Sequence, residues 1–186
     1  MKTSTPTNRF INANPRGTGN EWFYIADNSS KANITAYAQD PVNNSGPFKP
    51  TEQSDPVPFN NIVTTLMTDM FFLIANANNF NEDISSWDTS NVTYMNSTFF
   101  NASAFNQDIS KWNTSKVTSM RYMFMNATSF NQDIGGWYTY KVTDMTGMFT
   151  NDSNFNQDLS NWNVALISSL PTDFARGSGF QNNQAY

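Results

Sequence analysis

The chain contains no cysteine and no histidine, which excludes several kinds of chemistry at once. Thiol catalysis, zinc sites built from cysteine and histidine, and histidine acid–base catalysis all need side chains that are missing here. The sequence also has no G-x-S-x-G nucleophile motif and no phosphate-binding loop. Its acidic residues recur periodically rather than as the single pair that glycoside hydrolysis requires. We therefore expect no enzymatic activity.

Charge and long apolar runs are scarce as well. Only 13% of the 186 residues are charged, and the net charge is −5. Nucleic acids and anionic membranes are bound by basic faces, so we expect neither as a partner. No apolar run is long enough to insert into a membrane, and the first residues lack the apolar part of a secretory signal. Because the chain keeps Met1, we expect that it is made in the cytoplasm and is released or assembled there. Its expected final location is a virion or an extracellular surface.

The sequence is rich in aromatic residues, and these recur at a constant period, the spacing between Phe80 and Phe105. Phenylalanine begins each copy, followed at fixed offsets by isoleucine or leucine, tryptophan, valine, methionine and a second phenylalanine. The same period puts Phe174 at the position of Phe149 and starts a further copy at Phe180. We predict that the periodic apolar positions form the core. They are Phe80, Ile84, Trp87, Val92, Met95, Phe99, Phe105, Ile109, Trp112, Val117, Met120, Phe124, Phe130, Ile134, Trp137, Val142, Met145, Phe149, Phe155, Leu159 and Trp162.

Each copy is predicted to contain a short strand, a turn and a short helix. Residues 108–110 suit a strand, residues 113–115 are turn formers, and Val117, Met120, Phe124 and Ala127 follow at helical spacing. Such a unit cannot bury its apolar stripe alone, whereas adjacent copies bury one another's. The predicted fold is an α/β solenoid, a leucine-rich-repeat-like stack of about five such 25-residue coils.

The first part of the chain differs from the rest. Seven of the eight prolines lie before Phe59, which predicts a mostly irregular segment. Within it, residues 21–26 and 33–38 are predicted to form a β-hairpin. We divide the chain into an N-terminal unit, 1–54, a repeat unit, 55–180, and a tail, 181–186. The N-terminal unit is interpreted either as a cap on the first repeat or as an arm that docks onto other structural proteins through Trp22, Phe23 and Tyr24.

Polar residues also form columns at the same period. Like charges one strand spacing apart repel, so the aspartate column needs compensation, either from backbone N–H groups or from Ca²⁺. This weak candidate metal site consists of Asp83, Asp108, Asp133 and Asp158, and no other cofactor is expected. The asparagine columns that begin at Asn76 and Asn81 are interpreted as turn residues, with sugar binding as the alternative. The tryptophan column is interpreted as core, with glycan stacking as the alternative.

The runs FNQDISKWNTSKVTSMRYMFMNATSFNQDI and FNEDISSWDTSNVTYMNSTFFNASAFNQDI resemble the BspA-like leucine-rich-repeat surface proteins, in the variant with a 25-residue repeat that is abundant in mycoplasmas. The resemblance covers about residues 60–180. It implies a leucine-rich-repeat solenoid and a role in surface attachment or protein binding. Similar repeats occur in large viruses and marine phages. The chain lacks the lipoprotein cysteine of the family's cell-surface members, which favours a virus or phage member.

These observations predict a non-enzymatic structural protein on the exterior of a virion, as a fibre, tail or capsid-decorating component. It would bind other structural proteins through residues 1–54 and mediate adhesion to a host-surface protein or glycan. The alternatives are a cellular surface adhesin or a filament subunit, in which the end at Phe180 meets the first coil of a neighbour. A glycan-binding lectin is a further alternative.

Overall fold

The structure is a computed structural model that describes residues 10–13, 21–40 and 57–182. Its regular elements come early in the chain: strand β1 (Phe10–Ala13), strand β2 (Glu21–Asp27), helix α1 (Lys31–Gln39) and strand β3 (Ile62–Leu66). Single turns of 3₁₀ helix span Asn28–Ser30, Phe59–Asn61 and Gly179–Asn182. The predicted N-terminal unit is described only in part, because residues 1–9, 14–20 and 41–54 lie outside these ranges.

The three strands form one sheet in the order β1-β2-β3. β1 runs antiparallel to β2, with Phe10 opposite Tyr24, and β3 runs parallel to β2, with Ile62 opposite the same Tyr24. The ladder between β2 and β3 is irregular between Ile25 and Asp27. Because β3 belongs to the predicted repeat unit, the two predicted units share this sheet.

The predicted hairpin is wrong in its second strand, because residues 33–38 belong to α1. The turn-forming residues after β2 form a capped 3₁₀ turn, Asn28–Ser30, that leads directly into α1 instead of reversing a strand. The Asp27 carboxylate accepts a hydrogen bond from the Ser29 backbone N–H at 2.9 Å, and the Ser30 hydroxyl accepts one from the Asp27 N–H at 3.1 Å. This reciprocal capping box starts the chain on a helical path. Ile34 and Ala38, one turn apart, form the buried side of α1.

The predicted α/β leucine-rich-repeat solenoid is also wrong. Among the described residues α1 is the only α-helix, β2 and β3 are the only parallel strands, and all three elements precede Met67. The predicted strand–turn–helix coils are absent from the described part of the repeat region, where turns take their place. After Met67 the only β-pairings among the described residues are the single-residue bridges Asp69–Tyr94, Tyr94–Ser119 and Ser119–Asp144.

Left-handed residues explain why the helical pattern does not produce a helix. Tyr122 and Asn126 lie inside the apolar stripe that begins at Val117, and their φ angles are 55° and 60°. A right-handed helix cannot continue through such residues. Similar pairs, with the same spacing, occur at Phe72 and Asn76 and at Ser97 and Asn101.

The backbone satisfies its hydrogen bonds by alternating local and distant partners. Met123 donates its N–H to the carbonyl of nearby Met120, at 3.2 Å. The next residue, Phe124, donates instead to the Met148 carbonyl in the following copy of the repeat, at 2.9 Å. We call the 25-residue lengths that begin at Phe80, Phe105, Phe130 and Phe155 turn segments, and residues 57–79 the partial segment. Each turn segment is thus bonded to the next along the chain.

The core consists of apolar columns that run across the turn segments. The rings of Phe105 and Phe130 are 5.9 Å apart, and those of Phe124 and Phe149 are 5.6 Å apart. Phe124 also stacks on Phe130 at 4.0 Å, which joins two columns. The structure buries every one of the predicted core positions except Leu159, which is half-buried at the edge of the core.

In the last turn segment the backbone pattern is displaced by one residue at Asp173, although Phe180 still follows Phe155 at the regular period. The left-handed pair Gly147 and Asn151 is followed by the pair Asp173 and Gly177, which comes one residue later than the period requires. As a result Ala175, rather than Phe174, takes the place of Phe149 in the backbone pattern. Phe174 is only half-buried and meets Phe149 edge-on, at 5.4 Å and 89°. The sequence period therefore mispredicts this position.

Candidate functional site

Helix α1 covers the open side of the partial segment. The Thr35 hydroxyl donates to the Leu73 carbonyl at 2.8 Å, and the Gln39 amide donates to the Ala75 carbonyl at 2.6 Å. Lys31 pairs with Asp69 at 2.8 Å. In the following turn segments the equivalent carbonyls accept backbone N–H groups from the preceding segment. Two side chains of α1 therefore replace the hydrogen bonds of a missing segment.

The residues predicted to dock onto partners lie in or near this region. Tyr24 is buried in the core and pairs with Ile62 across the sheet. Phe23 is half-buried. The backbone of Trp22 pairs with Asn12, and its side chain lies outside the described residues. Tyr24 thus packs inside the protein, where a partner does not reach it.

The tryptophan column is buried and hydrogen-bonded to the backbone. Trp87, Trp112 and Trp137 are each 3% exposed. The indole N–H of Trp112 donates to the Ile84 carbonyl at 3.2 Å, and Trp137 and Trp162 repeat this bond one and two segments later. The column offers no exposed face for stacking against a glycan.

The aspartate column is engaged by the backbone, as one of the two sequence interpretations predicted. Asp108 accepts a hydrogen bond from the Ser110 N–H at 2.9 Å. Hydrogen bonds from Ser110, through its hydroxyl and its N–H, hold the pKa of Asp108 below its ordinary value. Backbone N–H groups two residues ahead bond the others in the same way. These are Asp83, Asp133 and Asp158. Within the described ranges no three or more acidic groups gather as a metal site.

The asparagine columns bond to themselves and to the backbone. Asn126 donates its amide to the Asn101 side-chain oxygen at 2.7 Å, and Asn101 donates to Asn76 at 2.8 Å. In the second column, the Asn81 side-chain oxygen accepts the Asn106 backbone N–H at 2.9 Å. These contacts use the amides to tie adjacent turn segments together.

An exposed cluster of aromatic rings was not predicted from the sequence. Phe71 is 48% exposed and Phe72 is 39% exposed. Their ring centroids are 4.7 Å apart, and Phe72 lies 5.9 Å from Phe100. The Lys31 ammonium lies 5.7 Å from the centre of the Phe71 ring. We call Phe71, Phe72 and Phe100 the aromatic patch.

A signal for the aromatic patch was present in the sequence. At the position of Phe71 the later copies carry Asn96, Arg121 and Thr146, so the period calls for a polar residue there. Aromatic residues at a position that is otherwise polar mark a surface feature rather than core.

A second apolar surface lies at the other end of the protein. There a pocket of about 540 Å³ opens beside the last turn segment, and Met145, Trp162, Phe174 and Phe180 line its floor. Val164, Leu166 and Leu170 are exposed nearby, and Leu170 is 87% exposed. Phe180 stacks on Phe155 at 6.2 Å, and the tail residues 183–186 lie outside the described ranges.

One buried carboxyl group interrupts the core. Asp152 is fully buried, and its two carboxylate oxygens have no hydrogen-bond partner among the described residues. Burial raises the pKa of Asp152 from its ordinary 3.8 to about 9. The nearby Phe155 N–H, whose hydrogen bond goes to the Asp152 backbone carbonyl at 3.1 Å, offsets this rise only in part. Alanine occupies the same position in the three preceding copies, at Ala77, Ala102 and Ala127.

These features define a protein built from repeated segments, whose candidate contact sites are two exposed apolar surfaces. A family model matches residues 45–162, and its description is "Mycoplasma protein of unknown function, DUF285". The chain belongs to this family, because the match covers more than half of its length. Comparison with curated proteins and with solved structures gave no significant match. No helix in the described part is long and apolar enough to cross a membrane.

Proposed function

We propose that this chain is a non-enzymatic binding protein that contacts a partner protein through the aromatic patch. One observation carries the proposal. Phe72 has a φ angle of 58° and yet carries a bulky side chain at the surface. Left-handed backbone costs an ordinary residue about 1–2 kcal/mol, and Gly, Asn and Asp tolerate it best.

Equivalent positions show that the backbone does not require an aromatic residue here. Ser97, Tyr122 and Gly147 occupy the same left-handed position in later segments, and only Tyr122 of these three is aromatic. Because Phe72 is 39% exposed, burial of its ring offsets only part of the strain. Bulky side chains held in strained, exposed positions are typical of contact sites. Aromatic residues are also enriched at the centres of protein–protein interfaces.

The chemistry of the aromatic patch favours a protein partner over a glycan. Its three rings are phenylalanines without hydroxyl groups, and they meet one another edge-on or tilted. Such a cluster suits the aliphatic or aromatic side chains of a protein. A lectin site based on the tryptophan column lacks support, because those rings are buried.

We place this binding protein on an exterior surface. The family description names mycoplasmas, and the repeats resemble the BspA-like surface proteins, which together favour a cellular surface adhesin. The alternative setting is the exterior of a virion, as a fibre, tail or capsid-decorating component, again as a structural protein in adhesion. A head-to-tail filament is disfavoured, because α1 already bonds the Leu73 and Ala75 carbonyls that a neighbour would use.

A photo-crosslinking experiment tests the proposal. A photoreactive phenylalanine analogue replaces Phe71 in the full chain, which is added to intact cells or particles of the organism that makes it. The matched control carries the analogue at Tyr140, an exposed aromatic residue outside the aromatic patch. We expect one protease-sensitive adduct at position 71, suppressed by excess wild-type chain but not by excess Phe72→Gly. Equal adducts at both positions, or none at position 71, would contradict the proposal.

A further inference from the structure

We propose that two copies of this chain associate through the apolar end of the last turn segment, around a two-fold axis. We call this surface the end face. Val164, Leu170 and Phe174 line its pocket of about 540 Å³, and we include the exposed Leu166, which lies between Val164 and Ile167 in the chain. The inference is independent of the aromatic patch, which lies on the first segments of the chain.

Residues 10–13, 21–40 and 57–182, which the structure describes, leave the end face uncovered. In the preceding segments the same side is covered by the next segment, so that Met120 and Met145 are buried. Leu170, one residue before the structural counterpart of Met145, is 87% exposed. Exposed clusters of large apolar residues are unusual in soluble proteins and mark contact surfaces.

The sequence of the end face is more apolar than the period requires. Leu166 stands where earlier copies have the solvated residues Asn91, Lys116 and Lys141. A leucine at that position adds nothing to the core, since the side chain is 52% exposed. The substitution therefore indicates a surface that becomes covered by something other than water.

A second substitution disfavours a further turn segment as the covering group. Thr139 donates its hydroxyl to the Asn163 carbonyl of the next segment at 2.9 Å, and Thr89 and Thr114 make the same forward bond. Val164 occupies this position in the last segment and has no hydroxyl to donate. In the end face, an apolar side chain thus replaces the threonine hydroxyl that bonds to the following segment elsewhere.

A second copy fits this surface best. A partner's first segment is not free to cover it, because α1 occupies that side through Thr35 and Gln39. The described pocket lining contains no charged side chain, so two end faces meet without like-charge repulsion despite a net charge of −5 on each chain. The same uncharged, apolar patch on both copies is what a closed two-fold contact requires.

Sedimentation velocity over a wide range of concentration tests the proposal. The full chain is compared with Leu170→Lys, which places a charge at the centre of the end face. Tyr138→Lys is the matched control, since Tyr138 is 62% exposed and lies outside the end face. We expect a monomer–dimer equilibrium for the wild type and for Tyr138→Lys, and a monomer for Leu170→Lys with an unchanged circular dichroism spectrum.

Several results would overturn the proposal. If the wild type is monomeric at every concentration, no second copy binds the end face and the proposal is wrong. Dimerisation of Leu170→Lys as strong as that of the wild type places the contact elsewhere. A series of ever larger oligomers indicates an open, head-to-tail contact instead of a closed dimer. If deletion of residues 183–186 converts a monomer into a dimer, the tail is the occupant and the proposal is again wrong.

Discussion

At the scale of single residues, Asp152 is the least favourable side chain in the core. It is an ionisable group at a position where the preceding copies have alanine, and its carboxylate oxygens have no hydrogen-bond partner among the described residues. A buried carboxyl group without partners remains protonated, because ionisation without solvent or a counter-ion is costly. The pKa of about 9 follows from this burial.

Replacement of Asp152 by alanine should therefore stabilise the protein. The folded state binds the proton more tightly than the unfolded state, whose pKa is near 3.8. The contribution of Asp152 to stability is thus fully present below 3.8 and is lost as the pH rises towards about 9. We expect Asp152→Ala to raise the free energy of unfolding at neutral pH by an amount that grows with pH across this window. Urea titrations of both proteins at several pH values measure the difference.

Asp108→Ala is a control variant for which the opposite pH dependence of stability is expected. Hydrogen bonds from Ser110 lower the pKa of Asp108, so its stabilising contribution is present at neutral pH and is lost as the pH falls through the folded pKa. The variant should therefore be slightly less stable than the wild type at neutral pH and equal to it in acid. If Asp152→Ala shows the same pH trend as Asp108→Ala, the burial of an unpartnered carboxyl group is refuted.

At the scale of elements, the left-handed positions determine how a turn segment folds. Asn126, with a φ angle of 60°, occupies one such position and also contributes to the amide column through Asn101. Asn126→Gly removes the amide contact, but glycine still adopts the left-handed conformation easily. Asn126→Ala removes the amide contact and also places a Cβ in that unfavourable conformation. We expect Asn126→Ala to be less stable than Asn126→Gly by about 1 kcal/mol. Thermal unfolding of the two variants measures this difference, and equal stability would argue against a left-handed residue.

Helix α1 acts as the cap of the partial segment. Thr35→Val leaves the Leu73 carbonyl without its donor in a partly buried site. A buried polar group left without a partner costs about 1–3 kcal/mol. Thr35→Val should therefore lower the free energy of unfolding by roughly 1 kcal/mol or more, and Thr35→Ser should restore most of it. Hydrogen exchange at Ile74, whose N–H bonds to Thr98, should also accelerate in Thr35→Val alone. Unchanged exchange would show that α1 is not a cap.

At the scale of the whole molecule, the buried columns were predictable and the backbone was not. A strict period places the same residue type at equivalent positions of adjacent segments. Phe105, Phe130 and Phe155 were therefore expected to form one column, and their rings do stack in one column. At the second position of each left-handed pair, asparagine favours that conformation, as at Asn126. At the first position, Ser97 and Tyr122 give no such signal. The helical spacing of the apolar residues was therefore misleading.

Two features of the candidate surfaces escaped the sequence analysis for different reasons. The aromatic patch consists of residues that depart from the period, and a search for regularity passes over departures. The end face includes Phe174, which a one-residue displacement of the backbone pattern leaves half-buried, while Ala175 takes the place of Phe149. A shift by one residue is invisible in the sequence while Phe174 still follows Phe149 at the regular period.

The central claim is that Phe72 serves recognition rather than folding, and the free energy of unfolding of Phe72→Gly tests it most directly. Loss of the exposed ring and relief of the left-handed strain nearly cancel, so we expect a change of no more than about 1 kcal/mol. The reference is Phe124→Ala, at a fully buried ring, which should cost about 3–5 kcal/mol. If Phe72→Gly destabilises the protein as strongly as Phe124→Ala, the ring holds the fold together and the claim is wrong.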